Sequence, residues 1–375
     1  MRPLQGPQNN RIRTTVLSVL FVVFLLFGAS HAQQTDPKVP KIGPTQNVGQ
    51  SIEALLGPDG KTEDTSEQSS KKVLDPSKDE PILYISDTDN GRIIVMQGIK
   101  GDGFISFGLP GYGFGRFLRP AQIWVDSERR VYVADSGNNR IVRIDQRSSE
   151  GWSEFTNLSS PKGVAVDNSG VYISDTKANK VIKVEEIVKD TPVLETLTHP
   201  QMTKPTGLWI DAQGALYICA GEDPPGGKVF KTWMEDERRR WAIFDGHGLA
   251  GSRFRPSSLV TTNGDLKFLD DSGTRVINME NMEGRKMKVQ RFRKSRQYRL
   301  RRPRGIALDK SGKRFFIADS GNDRILEVTG NGTVVGEFSQ LDNDPASVLR
   351  NPTSIFVFSP APSEEPKEDK EEDDS

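Results

Sequence analysis

Six prolines in this chain each lead into a short apolar strand, and that periodicity constrains the fold more than any other feature. Pro120 leads to Ile123-Trp124-Val125, Pro161 to Val164-Ala165-Val166, Pro205 to Leu208-Trp209-Ile210, Pro256 to Leu259-Val260-Thr261, Pro303 to Ile306-Ala307-Leu308 and Pro352 to Ile355-Phe356-Val357. In five copies a polar turn carries the chain into a second strand that ends in a small residue and usually Asp. Val131-Tyr132-Val133-Ala134-Asp135, Val171-Tyr172-Ile173-Ser174-Asp175 and Phe315-Phe316-Ile317-Ala318-Asp319 are the clearest. A further polar turn leads to a cation and a third strand, as in Arg140-Ile141-Val142, Lys180-Val181-Ile182 and Arg324-Ile325-Leu326. Short runs rich in Val, Ile and aromatics, bounded by Gly, Asn and Asp, are strand and hairpin chemistry rather than helix periodicity. A repeat of roughly 40 to 50 residues built this way predicts a β-propeller.

The last copy stops after its first strand, whereas an N-terminal copy, Leu83-Tyr84-Ile85-Ser86-Asp87 through Arg92-Ile93-Ile94-Val95, begins at its second. The two half-repeats explain each other if the strand after Pro352 completes the blade that starts near Leu83. The predicted fold is therefore all-β: a closed six-bladed propeller of four-stranded blades, with no sheet edge left to template aggregation. The competing reading is an open array with two frayed ends.

The segments Tyr132-Val133-Ala134-Asp135-Ser136-Gly137-Asn138-Asn139-Arg140-Ile141 and Phe316-Ile317-Ala318-Asp319-Ser320-Gly321-Asn322-Asp323-Arg324-Ile325 resemble the NHL repeat family. The resemblance extends over about 82–358. It is weakest in two copies: one has Ala220 in place of Asp and a long turn over 221–227, and the other keeps Asp270 but shows a shorter, altered inner strand.

Outside the repeats the chain divides into distinct blocks. Residues 1–32 carry Arg2, Arg11 and Arg13 ahead of an apolar run over 16–27, with small residues at Ser30 and Ala32, and no acidic residue precedes Asp36. That pattern predicts a secretory signal peptide, the run being short for a membrane span; an uncleaved signal anchor is the alternative. Cleavage would leave 48 Lys and Arg against 51 acidic residues, a formal charge of −3. Residues 33–80 are rich in Pro, Gly, Ser and charge and predict a disordered spacer, 81–359 the propeller, and 360–375 an acidic disordered tail. Cys219 is the single cysteine, so no intrachain disulfide forms, and its strand position predicts a small buried hydrophobe. Asn157-Leu158-Ser159 and Asn331-Gly332-Thr333 are glycosylation sequons, making Asn157 and Asn331 candidate acceptors in a secreted chain.

Two polar features are candidates for function. The first is the set of Asp and cation pairs flanking the second turn: Asp87 and Arg92, Asp135 and Arg140, Asp175 and Lys180, Asp270 and Arg275, Asp319 and Arg324. Arg140, Arg275 and Arg324, with the other cations, would ring a central opening and suit an anionic ligand. One pair per blade is also what repeat geometry alone demands, with Asp accepting turn amides, and this structural reading is the favoured one. The second is 291–304, where eight of fourteen residues are basic: Arg291, Arg293, Lys294, Arg296, Arg299, Arg301, Arg302 and Arg304. Such a loop binds polyanions through salt-sensitive charge pairing, or simply solvates a surface.

Catalytic signatures are thin. Gly246-His247-Gly248-Leu249-Ala250-Gly251 matches a dinucleotide fingerprint in letters alone, since a strand rather than a helix follows it. Related propellers that hold zinc with three His are not matched, because only His199 and His247 remain beyond residue 32. No cofactor is predicted. A calcium or other divalent ion on the axis stays open, since ligands from separate blades leave no local motif. The sequence thus favours a secreted, monomeric binding scaffold for a protein, a peptide or an acidic glycan on the face carrying the Asp/Arg turns. The alternatives are a metal-dependent hydrolase or lyase with an axial site, and an RNA-binding propeller. Secretion argues against nucleic acid, and signal cleavage would leave no membrane span.

Overall fold

The computed structural model describes residues 80–100, 104–145, 151–221, 226–249, 254–262, 265–272, 274–290, 292, 298–340 and 348–358. These all belong to a unit spanning Gln46–Ser375; the unit Met1–Thr45 lies outside them. The leader, the spacer before Glu80 and the acidic tail predicted from sequence therefore also lie outside the described residues. No helix among the described residues is long and apolar enough to cross a membrane.

Six four-stranded antiparallel sheets form the blades. Blade I is made of Pro352–Phe358, Ile82–Asp87, Arg92–Gln97 and Phe104–Phe107, from the axis outward. Blade II is Pro120–Val125, Val131–Asp135, Arg140–Ile144 and Trp152–Phe155; blade III is Gly163–Asp167, Gly170–Asp175, Lys180–Val184 and Val193–Leu197. Blade IV is Pro205–Ile210, Leu216–Ala220, Lys228–Glu235 and Arg238–Phe244. Blade V is Pro256–Thr262, Asp265–Asp270, Arg275–Met279 and Lys288–Gln290, and blade VI is Pro303–Leu308, Arg314–Asp319, Arg324–Thr329 and Val334–Phe338.

The C-terminal strand closes the ring in blade I, with Ile82 opposite Phe358, Tyr84 opposite Phe356 and Ile85 opposite Ile355. The inner strand of blade V runs the full Pro256–Thr262, so the expectation of a shortened strand there is corrected. Its polar letters Ser257, Ser258, Thr261 and Thr262 disguise an ordinary strand.

The second strands of blades I to IV are buried along their whole length because each blade is sandwiched by its neighbours, which is why Ile82–Asp87 and Val131–Asp135 do not alternate apolar and polar. Apolar clusters fill the gaps between blades; Phe230, Phe244, Phe268, Phe315 and Phe316 are among the largest fully buried side chains. Near the axis the first strands approach backbone to backbone. A Cβ on Gly207 would lie 2.6 Å from the Ser257 carbonyl oxygen, and one on Gly305 would lie 2.9 Å from the Ser354 Cα. Glycine is required there by contact rather than by dihedral angle.

Lys267, in the second strand of blade V, is half-buried with its ammonium 4.6 Å above the Phe315 ring of blade VI and bonded to the Asn278 amide oxygen. Burial pulls its pKa down from 10.5 to about 8. Below pH 8 both folded and unfolded chains carry the charge and the folded state bears the full burial cost; between about 8 and 10.5 the unfolded chain binds more protons, so that cost fades as pH rises. Lys267→Met is accordingly expected to raise the urea midpoint at pH 7, with the advantage shrinking by pH 10. An advantage independent of pH would contradict this reading.

Candidate functional site

First strands begin, and second strands end, on the same face, so the Pro-led entries and the Asp turns share one rim. Each Asp of the turns works as a clamp. Asp135 accepts the Leu118 N–H at 2.8 Å on one carboxylate oxygen and, on the other, Arg140 Nε at 2.8 Å and Asn138 Nδ2 at 2.7 Å. Asp319 repeats this with Arg301 N–H, Arg324 and Asn322, and Asp87 with Arg350 N–H, Arg92 and Asn90. Asp270 takes the Arg255 N–H and Arg275, and Asp175 takes the Ser159 N–H. Burial raises the Asp135 pKa, opposed by the bonds from Asn138, Leu118 and Arg140.

The following residues tie blade to blade. Asn139, Asn179 and Asp323 close the turns in the left-handed region, and their side-chain oxygens accept the N–H of Ser160, Lys204 and Asn351 in the next blade. Thr88, Thr176 and Ser320 donate to the carbonyls of Pro120, Pro205 and Pro352. The recurring Asp-Ser-Gly-Asn-Asn-Arg letters are thus a hydrogen-bonding programme for closing the ring. Arg140, Arg275 and Arg324 are 5, 8 and 7% exposed and face carboxylates, so they do not form the ligand-facing ring that the sequence allowed.

The cations that do line the axial opening come from beside the prolines. Arg119, Lys162, Arg255 and Arg304, from four blades, surround a cavity of about 300 Å³ with Gln122, Thr206, Ser257, Ser258, Thr353 and Asp271. The position of Gln122 is filled by Gly163, Gly207, Ser258, Gly305 and Ser354 in the other blades. Its longer side chain crosses from blade II to blade IV, where Nε2 donates to the Leu208 carbonyl at 2.6 Å and Oε1 accepts the Leu208 N–H at 2.9 Å. The opening is therefore a cup with an amide bar across it rather than a clear channel.

A cleft of about 790 Å³ adjoins the cup through Arg255 and Asp271 and is lined by Arg299, Arg301, Arg302 and Arg324. The structure thus brings together three of the predicted basic-loop residues. Arg291, Arg293, Lys294 and Arg296 lie outside the residues whose side chains are described. Arg301 and Arg302 are exposed, and Phe292 and Tyr298 are packed against the core between blades V and VI.

The same face carries a glycine-rich connection, Gly111-Tyr112-Gly113-Phe114-Gly115, whose letters read as an inter-blade loop but not as a binding feature. In the connection from blade I to blade II, Tyr112 and Phe114 are 72 and 65% exposed. Their loop is held from below: Arg140 Nη2 donates to the Gly113 and Arg116 carbonyls at 2.9 and 2.7 Å, and Asn138 donates to the Gly111 carbonyl at 3.0 Å. Gly111, Gly113 and Gly115 all have positive φ, so the glycine spacing is a backbone requirement. Alternating Gly and aromatic letters were the available signal.

Elsewhere, Asn157 and Asn331 are both exposed, and Cys219 is fully buried, which pushes its thiol pKa up. His199 packs between Phe230 and Trp241, while His247 pairs with Asp245. Among the described residues no three His, Cys, Asp or Glu side chains gather as a metal site. Four cations with one carboxylate around the axis do not fit a divalent cation there. On the other face, a cavity of about 990 Å³ is lined by Tyr172, Tyr217 and Trp233, with Lys183 over Tyr172 and Lys231 over Tyr217 and Trp233.

Fold and site define a six-bladed propeller with a cationic, aromatic-studded mouth. No family model matches the chain. A curated human protein, NHL repeat-containing protein 3, is 27% identical over 149 residues, covering 36% of this chain and 43% of that protein, so the chain spans less than half of its relative. A solved structure described as a nidogen/laminin complex aligns with a TM-score of 0.57 at 17% identity, over 75% of this chain and all of that one. A streptogramin B lyase aligns with a TM-score of 0.52 at 14% identity, over 75% of this chain and 88% of the lyase; both likenesses concern fold alone. The chain is a six-bladed β-propeller, similar over part of its length to an NHL repeat-containing protein.

Proposed function

We propose that this propeller is a secreted scaffold that binds an acidic protein partner on the mouth face. One observation carries the reading: exposed aromatic anchors on a pinned loop, Tyr112 and Phe114, stand on the face that also presents the axial cations and the Arg299–Arg302 cleft. Rigid aromatics and arginines are the residue types that dominate protein interfaces, and pinning them in advance lowers the ordering cost of binding. Positive potential steers an acidic partner to this face. The propeller of similar fold in the nidogen/laminin complex belongs, by its printed name, to an assembly between proteins, and that supports a binding role. The basic, apolar start of the chain supports an extracellular setting.

The cleft favours a second reading, an acidic glycan. Chromatography on immobilised poly-L-glutamate and on heparin separates the two. The full chain is expected to be held by poly-L-glutamate at low salt and released as salt rises. Joint replacement of Arg299, Arg301 and Arg302 by Ser should advance elution, whereas Arg285→Ser with Lys286→Ser, on the other face, should not. Retention by heparin alone would transfer the reading to a glycan. Equal behaviour of the two sets of variants would remove the mouth face from it.

A further inference from the structure

The axial cup has a chemistry of its own. Arg119, Lys162, Arg255 and Arg304 are brought together by four separate blades, and the Gln122 bar gives their cavity a floor. Its volume of about 300 Å³ suits one side chain rather than a folded surface. Asp271 forms part of the wall shared with the arginine cleft and pairs with Arg255 at 3.5 Å, but its other carboxylate oxygen is buried without a hydrogen-bond donor. A ligand suited to this lining carries a planar anion for the guanidinium forks and an N–H for the spare acceptor. A sulfate ester offers a tetrahedral anion and no N–H, and Asp271 repels additional negative charge.

Resting on the proposed mouth-face function, we infer that the cup seats one Glu or Asp side chain of an extended acidic peptide segment, its carboxylate among Arg119, Arg255, Arg304 and Lys162 and its backbone N–H toward Asp271. The adjoining cleft then receives the flanking residues. The ligand is thereby specified as a peptide with an anchoring carboxylate, not simply as a polyanion.

The test is fluorescence anisotropy of a labelled peptide, Gly-Ser-Glu-Glu-Ser-Gly with both ends blocked, added to the full chain at low salt. Replacing both Glu by Gln should weaken binding about tenfold or more, as should Arg304→Ser or Arg119→Ser in the protein. Arg285→Ser should leave binding unchanged, and circular dichroism should show each variant folded. Excess sodium sulfate, compared with sodium chloride at equal ionic strength, should not displace the peptide specifically. Equal binding of the Gln peptide, or specific displacement by sulfate, would overturn the inference. Loss of binding in the Arg299, Arg301 and Arg302 variant but not in Arg119→Ser or Arg304→Ser would overturn the cup while leaving the mouth-face function standing. Unchanged binding in both sets would sink the two together. A chain ending at Pro360 should bind at least as well as the full chain; a loss there would assign the site to the tail and contradict the cup.

Discussion

Ending the chain at Asn351 is expected to abolish the fold rather than trim it. The lost strand, Pro352–Phe358, is the innermost of blade I and faces six residues of Ile82–Asp87. Without it Leu83, Tyr84 and Ile85, all fully buried, would meet water, and each apolar side chain so exposed forfeits about 1.5–3 kcal/mol. The cut also removes bonds to both neighbours: Ser354 Oγ to the Ile123 N–H at 3.2 Å, and the Pro352 carbonyl to Ser320 at 2.5 Å. A ring depends on every interface, and the cut leaves the Ile82–Asp87 edge open while weakening the packing against both neighbouring blades. Thermal melting followed by circular dichroism should show no cooperative transition, and gel filtration should show aggregates. A chain ending at Pro360 should melt as the full chain does. If the shorter chain melted within a few degrees of it, the closure would not be what holds the propeller.

The second large effect belongs to the clamps. Asp319→Ala is expected to cost about 3–5 kcal/mol, because it strands the buried Arg324 guanidinium and leaves the Arg301 N–H without its 2.6 Å acceptor. Replacing Arg324 by Met in the same chain should recover part of the loss, since a buried pair changed to apolar groups removes the uncompensated charge. Equilibrium urea denaturation of the parent, the single and the double variant measures both numbers. A cost below about 1 kcal/mol would place Asp319 among exposed pairs of little consequence. The residual bond from Glu337 to Arg324, at 3.2 Å, limits the damage in the single variant.

The contrast between these clamps and the mouth explains what was legible in the letters. The ring was readable because strand chemistry and turn chemistry repeat, and because the strand after Pro352 had no partner within its own repeat. The clamps were readable as regular Asp and Arg pairs five residues apart, yet their direction was not: only packing shows Arg140 turned inward to hold the Gly113 and Arg116 carbonyls. The axial cup was not legible. Arg119, Lys162, Arg255 and Arg304 stand dozens of residues apart beside the prolines that mark the repeat, and only closing the ring brings them together. Gln122 occupies a place where glycine and serine otherwise serve, a departure meaningful only once Leu208 is known to lie across the axis. Blade IV lacks the clamp at Ala220 but retains the backbone bond found in the clamped blades, Gly221 N–H to the Thr203 carbonyl at 2.7 Å, as Gly137 N–H bonds the Leu118 carbonyl and Gly321 N–H the Arg301 carbonyl.

Two arginines of one cleft, Arg324 and Arg302, do different work. Arg324 is buried against Asp319 and Glu337 and holds the blade; Arg302 is exposed on the face proposed to meet the partner. The most direct measurement is the salt at which folded Arg324→Gln and Arg302→Ser leave immobilised poly-L-glutamate, read beside their melting temperatures. Arg302→Ser should elute earlier than the parent and melt with it, and Arg324→Gln should melt lower and elute with the parent. The reverse assignment, with Arg324→Gln losing retention at an unchanged melting temperature, would contradict the account.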